Sequence, residues 1–154
     1  MILFAPSQID IRRVRELDVR CFYEPWSEDI WSFCIQNYFT RVATHNTGLV
    51  GVVVAGQDAD NPSQMRLMKA AVAPQFRRQG RSIELLRRVA EYAHERDCSA
   101  IDCWIAESYI YPTDSPWCVL GWFQKCGFKN VEIQRDMFRM QGYPEDGIRW
   151  EVKI

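Results

Sequence analysis

Residues 67–82 read Leu67-Met68-Lys69-Ala70-Ala71-Val72-Ala73-Pro74-Gln75-Phe76-Arg77-Arg78-Gln79-Gly80-Arg81-Ser82, and this stretch decides the fold. The run Met65 to Val72 is β-rich, and Pro74 stops it. Gly80 then precedes an amphipathic helix. Its apolar Ile83, Leu86, Val89, Ala90 and Ala93 fall on one stripe, with Glu84, Arg87, Arg88 and Glu91 elsewhere. A strand that turns into a helix in this way presents unpaired backbone N–H groups at the positive end of the helix dipole. Such a turn suits a pyrophosphate, and a glycine lets the backbone approach its oxygens. Arg77 and Arg78 add positive charge beside it. No G-K-[ST] follows and no G-x-G-x-x-G is present, so neither a Walker loop nor a dinucleotide fingerprint is written here.

Working outward, Ile2 to Phe4 reads as a short strand ending at Pro6. Ser7 reads as a helix cap before Ile9, Ile11, Val14, Leu17 and Phe22. A second helix is expected from Ser27, with Glu28 and Asp29 in its first turn. Thr40 to Thr44 and Leu49 to Ala55 form a hairpin about His45 to Gly48, and Asp58 to Ser63 is a polar turn before the deciding strand. After the long helix, Ala100 to Ala106 is a strand. Trp117 to Cys126 reads as a helix ending at Gly127. Val131 to Met140 and Ile148 to Ile154 close the chain as strands joined by Gly142 to Gly147. No linker divides residues 1–154, which read as a single α/β domain.

The deciding loop resembles the acetyl-CoA loop of the GNAT N-acetyltransferases, [Q/R]-x-x-G-x-[G/A], with Arg77 first, Gly80 fourth and Ser82 last. Phe123 to Phe128 resembles that family's Y-x-x-x-G-F ending. Glu24-Pro25-Trp26-Ser27 is similar to a segment of the ribosomal-protein N-terminal acetyltransferases. The resemblance implies a GNAT fold: a mixed central sheet of about seven strands, splayed in the middle, with about four helices. It implies acetyl-CoA as cosubstrate, cradled by Arg77, Arg78, Gln79, Gly80, Arg81 and Ser82, with Ala71 and Val72 pairing to the pantetheine arm. The implied reaction is direct attack of a primary amine, on a small molecule or a peptide N-terminus, upon the thioester. A base must keep the amine neutral and an acid must meet the departing thiolate. The family's tyrosine acid is Phe123 here, so Tyr109 and Tyr111, in the extra loop Ser108 to Ser115, are the candidate phenols. Glu107, at the end of its strand, is the favoured base, with Asp102 the other carboxylate of that strand.

Composition narrows the alternatives. Nineteen Lys+Arg against twenty Asp+Glu give a net charge of −1, which argues against a nucleic-acid binder acting through Arg77, Arg78, Arg81, Arg87 and Arg88. No apolar run reaches the length of a membrane span, and the opening residues lack a basic start, so the expected address is the cytoplasm. Six cysteines without C-x-x-C spacing, and two distant histidines, read as reduced thiols and no metal site. The competing reading is a non-catalytic GNAT-like domain that binds CoA or a partner. The closing strands leave a homodimer open by analogy with related folds.

Overall fold

The computed structural model describes residues 2–4, 10–46 and 48–154. The expected cap at Ser7, the apolar Ile9 and the hairpin residue Thr47 lie outside them. Among the described residues seven strands form one sheet. In chain order they are β1 (Ile2–Phe4), β2 (Phe39–His45), β3 (Gly48–Gln57), β4 (Gln64–Val72), β5 (Ala100–Ala106), β6 (Lys129–Met140) and β7 (Tyr143–Lys153). Their order across the sheet is β1-β2-β3-β4-β5-β7-β6, and only the β4–β5 pair is parallel. Among the described residues four α-helices accompany them: α1 (Ile11–Cys21), α2 (Glu28–Asn37), α3 (Arg81–Glu95) and α4 (Leu120–Lys125). Seven mixed strands with four helices are the architecture the GNAT resemblance implies.

Local chemistry explains the helix ends. Asp10 accepts a hydrogen bond from the Arg12 amide and so starts α1, and Ser27 accepts from the Ile30 amide and starts α2. The buried stripe of α1 is Val14, Leu17, Asp18 and Cys21, a helical spacing that includes one charged residue. On α3 the buried positions are Leu85, Val89 and Ala93. Ile83, which the sequence pattern places on that stripe, is 42% exposed, because the helix is rotated to seat Leu85 on the sheet.

Two boundaries differ from the sequence expectation. β7 begins at Tyr143, so β6 and β7 join through Gln141-Gly142 alone, both at positive φ (52° and 84°), the backbone of a tight hairpin turn. Of the loop expected over Gly142 to Gly147, the part from Tyr143 on is therefore strand. Residues 117–119 precede α4 rather than belonging to it, since helical pairing starts only at Leu120.

Phe123 on α4 is 2% exposed and stacks on Trp150 of β7, with ring centroids 5.1 Å apart and planes 15° apart. Truncation to alanine removes that stack and leaves a void. Urea unfolding of Phe123→Ala is expected to show a loss of about 3–5 kcal/mol. Among the described residues all six cysteines are free, and no helix is long and apolar enough to cross a membrane.

Candidate active site

The site originates in a mismatch between β4 and its neighbours. Lys69 pairs with Val54 and Leu67 with Ala55, so Met68 is an extra residue, a bulge that bends β4. β4 then pairs with β5 only at Gln64–Ala100, Met65–Ile101 and Arg66–Asp102. Beyond Arg66 the two strands part and leave a slot. The Ala73 amide donates to Val50 on β3, 2.8 Å away. Strand alternation therefore turns the backbone groups of Ala70 and Val72 into the slot, and those of Ala71 toward β3. Of the expected pair Ala71 and Val72, it is Val72 that offers a free amide.

One end of the slot opens into a cavity of about 610 Å³. Arg77, Arg78, Gly80, Arg81 and Ser82 line it, together with Ala71 and Val72, whereas Gln79 stays off its wall and donates to the Gln75 carbonyl. Gly80 caps α3 at φ 77° and Arg78 sits at φ 60°, two left-handed residues that fold the loop back on itself. No side chain caps the helix, so its first amides face outward unpaired. Arg77 Nε donates to the Val72 carbonyl at 2.9 Å and ties the loop to the end of β4. Buried Arg81 Nε has no hydrogen-bond partner. A glycine-opened helix start, an unpartnered guanidinium nitrogen and a free strand edge fit a long phosphorylated cosubstrate with an amide-bearing arm. The rest of the basic run does not join this surface. Arg87 and Arg88 are held by Glu84 and Glu91 on the exposed side of α3.

A second cavity of about 220 Å³ adjoins the first along β4 and shares Phe22, Leu67, Ala70, Val119 and Trp122 with it. Glu24 and Trp26, from the loop between α1 and α2, wall it on one side, with Cys103, Tyr109 and Met140 among the other residues. Three segments are tied together beside it. The Glu24 amide donates to the Tyr109 hydroxyl at 3.4 Å, and Glu24 Oε1 accepts from the Gln141 amide. The Tyr23 hydroxyl bonds Ser108 Oγ and donates to Glu145 Oε2 at 3.4 Å, while Glu145 Oε1 accepts from the Ser108 amide at 3.0 Å. Tyr23 stacks on Tyr109 with centroids 4.8 Å apart. Burial, and then Glu145, push the Tyr23 phenol up to about 12. Burial likewise raises Tyr109 well above the ordinary tyrosine value, so its proton is retained. The Cys103 thiol is pushed up to about 12 by burial and stays protonated at neutral pH.

The sequence candidates separate on this geometry. Tyr109 is buried on the second cavity's wall, whereas Tyr111 is 55% exposed and lies on neither. Glu107 is exposed and outside both walls. Asp102 is 1% exposed, with its oxygens taken by Arg66 and Arg149. Three features escaped the sequence reading: Cys103 and Lys69 on the wall, and Asp18 behind it. A signal for the last two existed, since each is a charge at a core-facing position of an apolar periodicity.

The acetyltransferase (GNAT) family pattern matches residues 11–115. Among curated proteins no relative matches. Solved structures of similar fold include the ribosomal-protein-S18-alanine N-acetyltransferase from Escherichia coli, at 18% identity and a TM-score of 0.76, over 99% of this chain and 93% of that one. Ard1 from Thermoplasma volcanium is similar at 15% identity and a TM-score of 0.80, over 99% and 97%. Arabidopsis thaliana NAA60, solved with a bisubstrate analogue, follows at 13% and 0.78, over 99% and 97%. At such identities the likeness is one of fold.

Proposed function

The chain belongs to the acetyltransferase (GNAT) family, and on that premise we propose that it is an acetyl-CoA-dependent N-acetyltransferase acting on a primary amine, of a small molecule or a peptide N-terminus. The observation that carries this reading is the meeting of two cavities along Leu67 and Ala70, one walled by the α3 start and the other by a buried phenol. Acetyl-CoA supplies an activated acyl thioester. The outward amides from Arg78 to Ser82 bind its pyrophosphate, and the slot edge of β4 orients its arm. The Val72 amide, free of β3, donates to the oxygen on which negative charge develops.

On the acceptor side, Glu24 is the carboxylate of the wall, and it holds the amine and takes its proton. Tyr109 gives its proton to the departing thiolate, replacing the phenol absent at Phe123. Because Tyr109 titrates above the ordinary tyrosine range, the acid stays protonated while the acceptor amine loses its proton. The expected pH profile of kcat/KM therefore rises through the amine's own pKa and shows no alkaline fall below pH about 10. A fall centred below that value would remove Tyr109 from the role.

The second reading, a CoA-binding domain without catalysis, draws on Phe123 itself. Thiol release from acetyl-CoA, followed with and without a panel of primary amines, separates the two. Amine-dependent release is expected, and its absence across small amines and peptides alike would leave the binding domain.

A further inference from the structure

We propose that Asp18 and Lys69 form a buried latch that positions the Phe22–Trp26 wall of the second cavity, so that this pair sets how tightly the amine acceptor is held. The inference rests on the reading of that cavity as the acceptor site. Asp18 is fully buried on α1, and one carboxylate gathers three donors from three segments. Oδ1 accepts from Lys69 Nζ of β4 at 2.8 Å. Oδ2 accepts from the Trp26 amide of the loop at 2.8 Å and from Trp31 Nε1 of α2 at 2.9 Å. The Lys69 ammonium lies over the rings of Phe22 and Trp26, 4.0 and 4.5 Å from their centroids. Its side chain is 5% exposed. The two charges thus hold the aromatic loop together, by a hydrogen bond to its backbone at Trp26 and by cation–π contact with its rings.

Such a pair is a poor device for stability alone. Burying two charges costs solvation that their attraction barely returns, and apolar replacements of buried pairs are often neutral or stabilising. Burial indeed pushes the Lys69 ammonium below the ordinary lysine value, with Asp18 drawing it back. What an apolar pair cannot reproduce is direction, namely an amide, an indole and an ammonium aimed at one point. The loop so fixed carries Glu24, which the acceptor meets, and through the Glu24 amide it reaches the Tyr109 hydroxyl. Asp18 does not line the cavity and is a positioning residue.

The test is the double variant Asp18→Asn/Lys69→Met, which removes both charges and leaves none unpaired. Its stabilisation by acetyl-CoA is expected to match the parent's, because neither residue lines the first cavity and the start of α3 is untouched. KM for the acceptor is expected to rise about tenfold or more, and Lys69→Arg is expected to keep KM near the parent's. Hydrogen exchange at the Trp26 amide is expected to speed up by about a hundredfold, with the α3 amides unaltered. An unchanged KM together with unchanged Trp26 exchange would overturn the proposal. The parent protein supplies an arm that no folding failure can remove: a Trp26 amide exchanging at the rate of a free loop also overturns it. That arm needs no acceptor, so a chain that acetylates nothing would sink the catalytic reading and still report on the latch.

Discussion

Gly80→Asp is expected to abolish acetyl-CoA binding while leaving the fold intact, and this is the larger of two effects the geometry predicts. Gly80 sits at φ 77°, a conformation that costs a side-chain-bearing residue about 1–3 kcal/mol, so the loop shifts out of its turn. The added carboxylate also stands at the mouth of the outward amides, where it takes the place of the phosphate oxygens and repels them. A Cβ there meets no atom within 4 Å, so the change is not a steric insult to the core. In the parent, acetyl-CoA at a hundred times its dissociation constant adds about 2.7 kcal/mol, a shift of several degrees in Tm. The variant is expected to unfold at one temperature with or without the ligand. A variant still stabilised like the parent would mean that the α3 start does not hold the cosubstrate.

The second effect is on the chemical step. Tyr109→Phe keeps the ring that stacks on Tyr23 and meets Phe22 edge-on at 5.5 Å, so packing survives. It removes one hydroxyl from the cavity wall. General acid catalysis contributes about 10²–10⁴-fold, so kcat is expected to fall at least about a hundredfold, with acetyl-CoA binding unchanged. Tyr111→Phe, at an exposed position off both walls, is expected to stay within about twofold of the parent. Equal losses in the two variants, or none in either, would take the acid role away from Tyr109.

Much of this molecule is legible in its residues because the signals are local. The stop at Pro74, the glycine before α3 and the alternation of β5 are written in short windows, and α3 forms where its pattern says. Ile83 and Leu85 show the limit of that reading. Both are apolar, and only contact with the sheet decides which one is buried. The bulge at Met68 leaves no trace in composition, yet it parts β4 from β5 and turns Val72 rather than Ala71 toward the slot. Tyr109 and Tyr111 are alike in sequence, two residues apart in one loop. Folding sends one to the cavity and the other to solvent. Glu107 is drawn toward the site by its place at the end of β5, but the turn that follows carries it outward, and Glu24 from a distant loop fills the wall instead.

The most direct measurement follows the acetyl group itself. Acetyl-CoA carrying an isotopically heavy acetyl group is incubated with the protein and a set of primary amines and short peptides, and the products are weighed by mass spectrometry against the thiol released. One heavy acetyl on an amine nitrogen for each thiol freed, and none with Gly80→Asp, is the predicted result. Thiol freed as heavy acetate with every amine unmodified, or no thiol freed while acetyl-CoA still stabilises the fold, would contradict an N-acetyltransferase.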